Sequence, residues 1–333
     1  VRNRKWLSAG ILTAISLLFS VLLSARTEPL APANNLSLNH LNWSSLKYSA
    51  SKLFISVDTH IKATLLNKKQ AELQLKNTNK KSDIILQPSS STVLRLDMDS
   101  AFLGQRSKIS IWFNSDGSAL QRTSQKSGHG LRYRRFRYTP DGAWSIKRHP
   151  KPDEQNKPWQ QWSNIDIDRY HIKAAKGNKL KLTEAEALFY FASVIPFNKI
   201  GNHFTTFIFS DNAVIKLEMK AEQRQKLTVN FIQKSGKSST RIDKKINVMK
   251  VRIIASSYPP GSSKSKFSLL GYKGDIDLYI DLKRHVIVQL SGKADYLGKV
   301  SFHLNEVIFR GYHAPQRDSL PKKVDYGSQD TSP

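Results

Sequence analysis

Four arginines fall at positions 132, 134, 135 and 137, interleaved with Tyr133, Phe136 and Tyr138. A guanidinium grips a phosphate or carboxylate through two parallel hydrogen bonds, and a neighbouring ring covers the apolar part of a ligand. On a strand, period-two alternation puts Arg132 and Arg134 on one face with Phe136 and Tyr138. It puts Arg135 and Arg137 on the other with Leu131 and Tyr133. These four arginines are the candidate binders of an anionic head group. The competing reading is an edge strand kept soluble by charge. The pattern also suits single-stranded nucleic acid, a partner that export, argued below, speaks against.

Carboxylates come in two spaced sets, Asp275, Asp277 and Asp281, and Asp166 and Asp168. Residues two apart on a strand lie about 6–7 Å apart, so a metal would need ligands from other strands. The plainer expectation is an acidic face opposite lysine-rich strands. None of the nine histidines has metal-ligand spacing. His203 and His303 read as ordinary sheet residues. There is no Gly-x-Ser-x-Gly elbow and no glycine-rich phosphate loop. No catalytic residue, cofactor or metal is expected, although catalytic residues dispersed along the chain stay open.

Charge and the N-terminus narrow the partners. The chain carries 53 Lys and Arg against 26 Asp and Glu, a net +27, with a pI of about 10.1. Such an excess favours anionic partners, which are nucleic acid, anionic lipid or acidic polysaccharide, and export narrows them to lipid or an anionic envelope polymer; the plainer reading is a solvated lysine surface. The chain has no cysteine, which excludes disulfides, thiol catalysis, cysteine-based zinc sites and a lipoprotein anchor. Residues 1–25 read as a signal peptide or a membrane anchor. Arg2, Arg4 and Lys5 precede an uncharged run over 6–25, at the boundary between a signal core and a spanning helix. The expected location is periplasmic, soluble after cleavage or held at the inner membrane by residues 6–25.

The elements that would position these residues are mostly strands. Residues 26–42 read as a flexible lead-in and 312–333 as a disordered tail. Between them, 43–311 reads as one antiparallel β domain. Hairpins are predicted at 109–125 and 131–148, turning at Asp116-Gly117 and Pro140-Asp141-Gly142. A meander is predicted over 274–310, with Ile276, Leu278, Ile280, Val288, Phe302 and Leu304 on its apolar face. A strand is expected at 71–75, and 150–181 reads as a polar surface excursion. The stretch 183–195 reads as the one good helix, capped by a Thr183–Glu186 box, ended by Pro196 and well buried.

This order of elements resembles an uncharacterised family of exported bacterial proteins, the domain-of-unknown-function family numbered 3108. The residues carrying it are Leu46-Lys47-Tyr48-Ser49-Ala50, the Leu-Phe-Tyr-Phe centre of the helix, and the closing pattern. That pattern is Gly274-Asp275-Ile276-Asp277-Leu278-Tyr279-Ile280, then Val286-Ile287-Val288, then Gly298-Lys299-Val300. The resemblance spans about residues 43–311. It implies a curved antiparallel sheet or open barrel, reminiscent of periplasmic lipoprotein carriers, and no activity. The 150–181 segment looks like an insertion.

The resulting expectation is a non-enzymatic envelope protein holding a lipid or other anionic amphiphile in a β-sheet groove. One alternative is a membrane-tethered interaction protein without a ligand cavity. Another is a polysaccharide hydrolase with dispersed carboxylates.

Overall fold

The computed structural model describes residues 36–52, 55–76, 85–102, 104–128, 130–172, 180–210, 213–260, 267–294 and 298–311. The expected N-terminal segment and C-terminal tail lie outside these residues. Among the described residues no helix is long and apolar enough to cross a membrane.

The strands are β1 (Trp43–Lys52), β2 (Ile55–Asn67), β3 (Thr92–Phe102), β4 (Gln105–Phe113), β5 (Ala119–Ser127), β6 (Arg132–Thr139), β7 (Gly142–His149) and β8 (Asn164–His171). There follow β9 (Leu182–Thr183), β10 (His203–Ser210), β11 (Ala213–Ser235), β12 (Ser238–Tyr258), β13 (Ser268–Leu269), β14 (Tyr272–Asp281), β15 (Ile287–Ala294) and β16 (Gly298–Phe309). All join one sheet in the order β8-β7-β6-β5-β4-β3-β2-β1-β16-β15-β14-β12-β11-β10-β9, with β13 on β14. The sheet is mixed rather than purely antiparallel, because β9 runs parallel to β10 and β11 parallel to β16.

The second parallel pair closes a ring. β16 pairs with β15 through its N-terminal half and, over Glu306–Phe309, with the end of β11. Strands β11, β12, β14, β15 and β16 therefore form a closed circuit. Glu306 clasps the junction, reaching Lys47 of β1 at 2.9 Å and Lys234 of β11 at 2.6 Å. The expected meander is β14-β15-β16, and its six apolar residues are all buried. Two apolar runs, 213–219 and 227–233, belong to one 23-residue strand, β11. It is about 75 Å long at ~3.3 Å per residue. The polar run between them breaks the apolar pattern without breaking the strand.

The remaining strands, β1 to β8, sweep away from β16 and curl back. Tyr170 on β8 meets Phe209 on β10 with ring centroids 5.4 Å apart. The architecture is a curved sheet closed at one end and open along a seam between β8 and the β9–β10 edge.

A helix, α2 (Leu188–Val194), fills the interior, and every one of its residues is buried. Trp43 donates its indole N–H to Ser193 Oγ at 2.7 Å, and Tyr190 donates its hydroxyl to the Ser115 carbonyl at 2.7 Å. Phe191 lies 4.9 Å from Phe204, ring to ring. Gly117 is required by two constraints at once. Its φ is +79°, and a Cβ there would stand 2.5 Å from the Phe191 ring.

The expected Thr183 cap does not form. Thr183 lies in β9 and donates its hydroxyl to the Gly117 carbonyl at 2.6 Å. Pairing with β10 keeps it extended, a 3-10 turn follows at Ala185–Ala187, and the α-helix begins only at Leu188.

Two further expectations are corrected. The stretch read as a strand at 71–75 belongs to a helix, α1 (Lys68–Gln74). Asn67 caps it in a reciprocal box with Gln70, so the capping chemistry overrides the short apolar alternation. Ala71 and Leu75 seal a second, outer core with Leu66, Val93, Trp112 and Leu120. The 150–181 segment is not a bare excursion, since it supplies β8 and two 3-10 turns, Pro152–Glu154 and Trp159–Gln161. Its Trp159 stacks on Tyr133 with ring centroids 3.5 Å apart, so the segment covers the outer face of β6.

Candidate functional site

Strand β6 is not an edge, because it pairs with β5 on one side and β7 on the other. The alternation of its arginines therefore sorts them between the inside and the outside of the curved sheet. Phe136 and Tyr138 belong to the main core, so the face carrying Arg132 and Arg134 is the inner one. Arg135 and Arg137 point outward.

The outward pair is structural. Arg137 is 2% exposed and donates to the Leu120 carbonyl at 2.5 Å and the Lys76 carbonyl at 3.2 Å. Burial pulls its guanidinium down to about 10. It closes the outer core rather than waiting for a ligand. Burial also lowers Arg135, which shares its face with Tyr133 and Thr123.

The inward pair has different surroundings. Register places Lys126 directly opposite Arg132 and Ser124 opposite Arg134. Two cations facing each other across adjacent strands repel. Among the described residues no carboxylate pairs with Lys126 or Arg132. The Lys126 ammonium is held below its ordinary value, first by burial and then by Arg132 and Arg122. Arg134 lies 4.2 Å over the Phe136 ring and donates toward Ser145 Oγ at 3.4 Å. Burial lowers its guanidinium as well, with Tyr170 opposing that shift. On β7 and β8 the same face carries Lys147 and Tyr170, both bonded to Asp168 Oδ2 at 2.9 Å. Exposed Lys126 and half-buried Arg132 and Arg134 thus form a cationic row that runs into an aromatic floor of Phe136, Tyr138 and Phe209. Phe209 meets Phe136 edge-on at 5.6 Å.

Deeper in lies a charged cluster that no motif announced. Arg122 of β5 contacts Glu184 at 3.4 Å and Glu186 at 3.2 Å. Tyr138 donates its hydroxyl to Glu184. Glu186 Oε2 is buried and accepts no hydrogen bond among the described residues. Burial, followed by the opposing pull of Arg122 and the repulsion of Glu186, leaves the Glu184 carboxyl pushed up to about 8. Burial would lower Arg122, but Glu186 and Glu184 outweigh it and raise its guanidinium. Glu186 was read as the partner of Thr183 in a helix cap, and Glu184 was given no role. The missing signal was that β9 holds this stretch extended, which turns Glu184 toward Tyr138.

Two of the three aspartates singled out on the meander are taken up structurally, and Asp275 is exposed. Asp277 pairs with Lys250 at 3.3 Å and Arg252 at 3.1 Å on β12. Asp281, 1% exposed, accepts the Lys283 and Arg284 amides and so organises the turn before β15. Among the described residues no group of His, Asp and Glu has the arrangement of a metal site. A surface recess of about 330 Å³ lies far along the β11–β12 hairpin, lined by Arg224, Gln225, Lys226, Asn247 and Leu282.

No protein-family model matches the chain, and no curated protein matches it. A solved structure similar to it is the beta-barrel-like protein of domain of unknown function DUF1849 from Brucella abortus. The identity is 7%, the TM-score is 0.39, and the match covers 79% of this chain and 95% of that one. So distant a likeness transfers no residue and no activity.

Proposed function

We propose that this protein is a non-enzymatic binding protein that holds an anionic amphiphile at the inner face of β5 and β6. The observation that carries the reading is the row of Lys126, Arg132 and Arg134, in which two cations oppose each other beside an aromatic floor. An anion placed between them would relieve the repulsion and accept forked hydrogen bonds. A hydrocarbon tail would lie toward Phe136 and Phe209 at the seam. Of the four arginines expected to bind, this reading keeps Arg132 and Arg134 and assigns Arg135 and Arg137 to the fold.

The basic and uncharged N-terminal pattern supports export to a bacterial envelope. Lipid or another anionic envelope molecule is then the natural ligand class.

The test is mass spectrometry of organic extracts from protein purified without detergent after export. A stoichiometric anionic amphiphile, lost in Arg132→Glu and Arg134→Glu, is the expected result. Recovery unchanged in both variants would sink the reading.

A second reading, a membrane-tethered interaction protein, is favoured by one observation: α2 occupies the interior where a carrier would keep a cavity. The hydrolase reading gains no support from Glu184 and Glu186, which are both turned onto the same part-buried arginine.

A further inference from the structure

We infer that the outer edge of β8 takes up an extended segment of a partner protein, one that alternates β-branched and basic residues and adds a strand to the sheet. β8 is the last strand on its side of the sheet, and all eight of its residues pair with β7 without a register shift. Its other edge therefore offers a regular row of backbone donors and acceptors. Sheets commonly protect such an edge with lysine, proline or a bulge. β8 has no lysine, proline or bulge, and its edge is guarded only by charge, from Asp166, Asp168 and Arg169.

Its two faces state what the incoming strand should carry. Ile165 and Ile167 are 43% and 46% exposed and stand on the outer face. Opposite Ile167 on the neighbouring strand lies Ile146, so the apolar strip continues inward from the edge. On the inner face stand Asp166 and Asp168, a pair of carboxylates in a chain of net charge +27. Asp168 is held by Lys147, whereas Asp166 forms no hydrogen bond or ion pair among the described residues. A guest strand meets this pattern with β-branched side chains on one face and lysine or arginine on the other.

The same carboxylates argue against a second copy of this chain. Two β8 strands related by a two-fold axis normal to the sheet pair with residues of like parity opposite. The registers centred on Asp166, Ile167 and Asp168 set Asp166 against Asp166, Asp166 against Asp168, or Asp168 against Asp168. Each brings two negative charges into direct opposition. The edge thus rejects itself and accepts a basic strand. The amphiphile's head group is placed two strands away, on β5 and β6, and only its tail approaches the seam that β8 borders, so peptide binding measured without added amphiphile tests this edge by itself.

The test is fluorescence anisotropy with labelled eight-residue peptides and the full chain. The probe alternates lysine and valine. One control replaces each lysine with glutamate, and another N-methylates alternate amides so that one edge cannot bond. Saturable binding of the probe is expected, weakened at least about tenfold in each control and in Asp166→Lys and Ile167→Lys. Both sites are exposed, and an unchanged urea midpoint shows that the variants are folded. Equal binding of the N-methylated peptide would overturn the inference, as would no saturable binding up to about 1 mM probe. A dimer in sedimentation that Ile167→Lys dissociates would also overturn it, in favour of self-pairing.

Discussion

Glu184 gives the sharpest consequence of the buried cluster. An ordinary glutamate titrates at 4.5, and this one, buried between Tyr138, Arg122 and Glu186, titrates at about 8 in the folded protein. Between those values the folded state holds a proton that the unfolded chain has lost. The protonated form therefore contributes stability that is fully present below pH 4.5 and is lost as pH rises toward 8. Each pH unit inside the window costs about 1.4 kcal/mol, and the span from pH 5 to 7.5 costs about 3 kcal/mol. Glu184→Gln is the clean perturbation. Its amide oxygen still accepts the Tyr138 hydroxyl, while the titrating group is gone. Urea unfolding of both proteins from pH 5 to 8.5 reads the effect as a difference, which removes every group they share. The wild type should lose about 3 kcal/mol relative to the variant between pH 5 and 7.5. Parallel curves would refute the argument, because they would mean that Glu184 is ionised throughout and held by Arg122.

Three further outcomes follow from the packing. Gly117→Ala forces a positive φ on a side chain and drives its methyl into the buried Phe191 ring, so thermal unfolding should show a loss of about 2–3 kcal/mol. Asn67→Ala removes the reciprocal cap of α1 and should cost about 1 kcal/mol in urea unfolding. Arg137→Gln and Arg132→Gln should separate fold from binding. The first loses two carbonyl contacts and about 1–3 kcal/mol of stability with ligand recovery intact. The second loses ligand recovery at little cost in stability.

The readable parts of this sequence were those governed by local chemistry. Asp116-Gly117 and Asp141-Gly142 announced their hairpins, and strict alternation over 274–304 announced the meander and its buried face. The alternation of the arginines was readable too, but its meaning was not. Only the pairing of β6 with β5 and β7 shows which face is inside, and only the register brings Lys126 opposite Arg132. Glu184 and Glu186 looked like a helix start because a capping box and a buried ion cluster use the same residue types. The choice between them was made by β9 pairing with β10, a contact across 25 residues from Leu182 to Phe207. The ring closure through Glu306 was equally silent, since Lys47, Lys234 and Glu306 lie far apart in the chain.

The central claim, an anionic amphiphile held by Lys126, Arg132 and Arg134, is tested most directly by calorimetric titration with two ligands of the same tail. Dodecyl phosphate and an uncharged dodecyl sugar, each below its micelle concentration, separate head-group recognition from simple adsorption. One-site binding of the phosphate is expected, weakening with salt and falling at least about tenfold in Arg134→Glu, with far weaker binding of the sugar. Equal affinity for the two ligands, or an Arg134→Glu variant that binds the phosphate as the wild type does, would contradict it.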